Sequence, residues 1–99
     1  MKVVVAEVGK QPEVREIGKE LKDMQALVGG YIEMVPFPVP GTLVVCDEEG
    51  ALKQKPRGSW GFMGDIFVVG SARPELRSLT DYEVEKVLQV PVTQSVGGW

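Results

Sequence analysis

The sequence predicts a single α+β domain: a mixed or antiparallel sheet of about five strands, with helices near residues 19–28 and 80–90 packed on one face. Short β-branched runs recur between Gly/Pro-rich turn signals, as strands do. In two other segments the apolar spacing lengthens to the helical period. The chain has 99 residues, 43% hydrophobic and 25% charged, which suffices for one two-layer core and leaves no room for a second domain. The domain is expected over residues 1–90, with residues 91–99 as a flexible tail.

Lys2 to Val8 is rich in valine, and after Gly9-Lys10-Gln11-Pro12 the stretch Glu13-Val14-Arg15-Glu16-Ile17 alternates polar and apolar residues. This reads as a β-hairpin, with Pro12 at the turn or as the first residue of the second strand because it donates no ladder hydrogen bond. From Lys19 the apolar residues Leu21, Met24 and Val28 fall at i, i+3 and i+7, one face of a helix that Gly29-Gly30 ends. Tyr31 to Val35 resumes strand alternation. Pro36-Phe37-Pro38-Val39-Pro40-Gly41 is a rigid extended connection, and Thr42 to Asp47 is the next strand. Asp47-Glu48-Glu49 reads as a solvated turn. Gly64 to Gly70 brackets a nearly continuous apolar run, the pattern of a central strand buried on both faces. Leu76-Arg77-Ser78 is a short edge strand. Thr80 and Glu83 then make a T-x-x-E capping box, with Leu79 and Val84 at the staple positions and Val84, Val87 and Leu88 as the buried face, until Pro91 stops the helix.

Composition narrows the chemistry. There is no histidine, the usual general base and commonest metal ligand near neutral pH. The one cysteine, Cys46, permits no intrachain disulfide, and a reducing cytoplasm is the expected compartment. Cys46 sits beside Asp47, Glu48 and Glu49, which suppress a thiolate, so buried packing is expected of it and not nucleophilic attack. The first seven residues reach an acid too soon for a signal peptide, and no apolar run is long enough to span a bilayer. A net charge of -3 argues against nonspecific nucleic-acid binding. No enzymatic activity, metal or cofactor is expected.

The order and spacing of Pro12 to Ile17, Gly29-Gly30-Tyr31-Ile32-Glu33, Val44 to Gly50, Gly64 to Gly70 and Leu79-Thr80-Asp81 resemble a small bacterial and phage family, domain of unknown function 3846. The resemblance covers roughly residues 2 to 90. It implies a standalone product of a phage or other mobile element and assigns no catalytic residue. The stretch from Ala51 to Met63 and the tail from Pro91 to Trp99 depart from the family pattern.

Lys53-Gln54-Lys55-Pro56-Arg57-Gly58-Ser59-Trp60-Gly61 is the sharpest local signal. Lysine and arginine donate charge-assisted hydrogen bonds to phosphate, glycines allow close backbone approach, and an indole offers a stacking face. Lys53, Lys55, Arg57 and Trp60 are therefore the expected ligand-binding residues. The alternative is a solvated basic loop with Trp60 tucked against the core. Two functions follow: capture of a small anionic ligand, a nucleotide-derived host immune signal, by a mobile element countering defence, or inhibition of a host protein through the sheet face or the tail. A sheet covered on one side only also leads to the expectation of a homo-oligomer.

Overall fold

The computed structural model of the chain describes residues 1–96. Six strands, β1 (Lys2–Ala6), β2 (Glu13–Glu16), β3 (Ile32–Pro36), β4 (Thr42–Asp47), β5 (Ile66–Ala72) and β6 (Glu75–Arg77), are joined by two helices, α1 (Leu21–Val28) and α2 (Asp81–Gln89). All pairings are antiparallel, in the order β2-β1-β5-β4-β3, with β6 on the far end of β5. The α+β reading holds, and the run between Gly64 and Gly70 does form the central strand.

Register follows from valine. Val4 lies opposite Val14 and Val68, Val68 opposite Val44, and Val44 opposite Val35, so one row of β-branched side chains crosses five strands. The next row, Val5, Phe67 and Val45, points to the other face. Strand side chains alternate, so the sheet carries two separate apolar faces. Val4, Ala6, Val44, Cys46, Ile66 and Val68 pack with Trp60, Phe62, Leu79 and Val87, whereas Val3, Val5, Val45, Phe67 and Val69 pack with Met24 and Val28.

That division corrects the expected placement of the helices. Helix α1 covers one face and α2 the other, so both faces are buried within a single chain. The open sheet face that motivated the expectation of self-association is absent from residues 1–96. Nor is Leu88 part of the buried face of α2, being 46% exposed.

Both helix ends follow their sequence signals. Gly29, at φ 80°, takes the left-handed conformation that closes α1, and its N–H donates to the Gln25 carbonyl at 2.8 Å. At the start of α2 the Glu83 N–H donates to Thr80 Oγ1 at 3.1 Å, and the Thr80 N–H donates to Glu83 Oε1 at 2.9 Å. The capping box is formed as read. Arg77 adds two hydrogen bonds to the Glu83 carboxylate, at 2.7 and 2.8 Å.

Candidate functional site

The chain between β4 and β5 holds all four residues expected to bind a ligand, and the fold gives them different tasks. Asp47, at the end of β4, exposes none of its side chain. It is not part of a solvated turn. Its Oδ2 receives Lys55 Nζ at 2.7 Å and Lys53 Nζ at 2.9 Å, and its Oδ1 accepts from the Glu49 N–H at 2.9 Å. Burial pushes the Asp47 carboxyl upward, but hydrogen bonds from Lys55, Lys53 and the Glu49 amide outweigh it and hold the group at about 2. The Lys53 ammonium is raised by the same contact with Asp47.

Each lysine also reaches the end of α1. Lys55 Nζ donates to the Val28 carbonyl at 2.7 Å and Lys53 Nζ to the Gly29 carbonyl at 3.2 Å. Cations at a helix C-terminus meet the negative end of its dipole and its unpaired carbonyls. A side chain at Gly30 has no room, because a Cβ there would stand 2.5 Å from Lys53 Nζ and 2.8 Å from the Asp47 carboxylate. Lys53 and Lys55 thus clasp the loop to α1.

Trp60 is fully buried, so its indole presents no face to a base and the expected stacking role is corrected. Phe37 meets it edge-on, with ring centroids 4.9 Å apart and planes at 74°. Trp60 adopts φ 57° and ψ 21°, a left-handed conformation uncommon for a bulky residue. Three hydrogen bonds hold it there. Its N–H donates to the Val92 carbonyl at 2.7 Å, its carbonyl accepts from the Val96 N–H at 3.0 Å, and Nε1 donates to the Val90 carbonyl at 3.2 Å.

The tail expectation changes accordingly. Residues 91–96 run across Trp60 as a strap, and Val96 is buried in the core. The rest of the tail, including Trp99, lies outside the described residues.

Arg57 is exposed, as Lys53 is, but it carries no carboxylate partner among the described residues and borders an open cleft. The segment 56–58 pairs with 62–64: Arg57 bridges Met63, the Gly64 N–H donates to the Pro56 carbonyl at 2.8 Å, and the Gly58 N–H donates to the Phe62 carbonyl at 2.7 Å. Arg57 Nη1 donates to the Gly61 carbonyl at 2.7 Å. Beside it opens a cleft of about 530 Å³, walled by Gly58, Ser59 and Gly61 on one side, Val92, Thr93 and Ser95 of the strap on another, and Gly9, Lys10 and Gln11 of the first hairpin turn. The hydroxyls of Ser59, Thr93 and Ser95 make no hydrogen bond among the described residues. Lys10, whose nearest carboxylate is that of Glu7 at 3.9 Å, is the second cation of the cleft. Sequence reading missed this cleft because its three walls are tens of residues apart in the chain, and only the paired strands and the strap bring them together.

Cys46 lies under the same loop, its Sγ 3.7 Å from the Glu33 carbonyl. Burial first, then the charges of Glu33 and Asp47, push its thiol up to about 11. No group of three or more side chains suited to a metal ion occurs among the described residues. None of the described helices is long and apolar enough to cross a membrane.

Comparison with known proteins returns no match among curated proteins or solved structures. A family model does match, over residues 1–91, so that the strap beyond Pro91 lies outside the matched stretch. The antiparallel sheet, its two helices and the loop that carries Arg57 all fall within the match, and the chain belongs to the family described as Domain of unknown function (DUF3846).

Proposed function

We propose that the protein is a binding protein, without catalytic turnover, for a small anion of the nucleotide class, held in the cleft beside Arg57. One arrangement carries the reading: an arginine and a lysine face a cleft of about 530 Å³ together with three hydroxyls that have no partner among the described residues. Arginine holds two phosphate oxygens at once, and hydroxyls complete an anion's shell without adding charge. Lys53 and Lys55 contribute indirectly, by fixing the loop that carries Arg57. In the mobile-element setting that the family resemblance implies, such capture removes a host immune signal from solution.

The test is calorimetric titration with inorganic pyrophosphate and with ADP. Charge-assisted hydrogen bonds contribute about 1.5 to 3 kcal/mol, so Arg57→Ala weakens binding roughly ten- to a hundredfold. The nucleotide is recovered unchanged after the protein is denatured. Equal affinity of wild type and variant, or conversion of the nucleotide, overturns the reading.

A further inference from the structure

A second cleft lies against α2 and shares no lining residue with the one beside Arg57. It encloses about 560 Å³, between the Pro38-Val39-Pro40 turn on one side and Val90 and Pro91 on the other. Tyr82 and Lys86 close a third side. Prolines fix the backbone on both walls, so little ordering remains to be done when something docks there. Tyr82 is 67% exposed, and Lys86 Nζ sits 5.4 Å from the centre of its ring.

The charge of this cleft is one-sided. Glu83 lines it too, but both carboxylate oxygens are engaged by Arg77, and Oε1 also accepts from the Thr80 N–H. Lys86 has no ion-pair partner among the described residues. Gln89 and Gln94 stand in the lining, and their amides both donate and accept, which matches the alternating groups of a peptide main chain.

We propose that this cleft docks an extended peptide segment of another protein, one that sets a carboxylate on Lys86 beside an apolar or aromatic side chain on Tyr82 and the proline walls. The inference is independent of anion binding beside Arg57. A yeast-displayed library of random linear peptides, panned on the immobilised protein, tests it. Enriched peptides are expected to carry Asp or Glu next to Leu, Pro or an aromatic residue. Binding of one such peptide, followed by fluorescence anisotropy, is expected to weaken about tenfold or more in Tyr82→Ala and in Lys86→Glu and to persist in Lys86→Arg. Amide chemical shifts of the wild-type protein on titration with the same peptide give a second readout that needs no variant, and they are expected to move around Val39, Tyr82 and Lys86. The proposal is overturned by failure to enrich, by enrichment of peptides lacking acids, by equal binding to wild type and Lys86→Glu, or by shifts clustered elsewhere.

Discussion

Asp47 illustrates what one buried carboxylate decides. Its two lysines are visible in the sequence as positive charge, whereas their partner reads as the first of three acids in a turn. The pairing became legible only when β4 was seen to carry Asp47 into the interior, with all six of its residues buried. One clue was present: Gly29-Gly30 leaves room for ammonium groups at the end of α1. Asp47→Ala removes the one carboxylate that both lysines contact, and a loss of about 3 kcal/mol is expected from chemical denaturation. Trp60 teaches the converse. An indole beside arginine and glycine suggests an open stacking face, but the aromatic ring has more apolar area to bury than the loop has to expose. Trp60→Ala is expected to cost about 3 to 5 kcal/mol, read as a lowered denaturation midpoint. Cys46, with its thiol raised to about 11, is expected to react with a disulfide reagent at neutral pH only slowly in the native protein and rapidly in denaturant. Fast labelling of the native protein would place the thiol at the surface.

At the level of elements, strands and helices were readable because each depends on neighbours in sequence. Their assignment to faces was not. The apolar stripe of α1 shows that it packs on a sheet, but the stripe is equally compatible with either side, and nothing local in the sequence distinguishes the face that α1 covers from the one that α2 covers. The capping box of α2 is local, legible from Thr80 and Glu83 alone, and both of its hydrogen bonds are formed. Thr80→Ala is expected to lower stability by about 1 kcal/mol without changing anion binding. An unchanged melting temperature would show that the cap carries no stability. The strap is the opposite case, a short stretch with polar Thr93, Gln94 and Ser95 whose only anchor signals are isolated valines. Val96→Asp places a charge in the core beside Trp60 and is expected to unfold the strap, seen as exchange of the Trp60 amide with solvent.

For the molecule as a whole, acid is the informative stress. Asp47 and Glu83 are both held at about 2 in the fold, against ordinary values of 3.8 and 4.5, Glu83 chiefly by its hydrogen bonds from Arg77. A depressed carboxylate stabilises the fold above its unfolded pKa and loses that contribution as pH falls toward its folded one. Stability is therefore expected to be level above about pH 5 and to decline from there toward pH 2, by on the order of 2 kcal/mol for each group. Thermal melts across that range check it. A fold whose stability is flat from pH 5 to pH 2 would mean that neither carboxylate is paired in solution. Trp60 has a further consequence, for how the domain is closed. Its three hydrogen-bond partners are Val90, Val92 and Val96. A chain still lacking those residues can complete its sheet but leaves its largest buried side chain uncovered, so it is residues 90–96 that seal the domain.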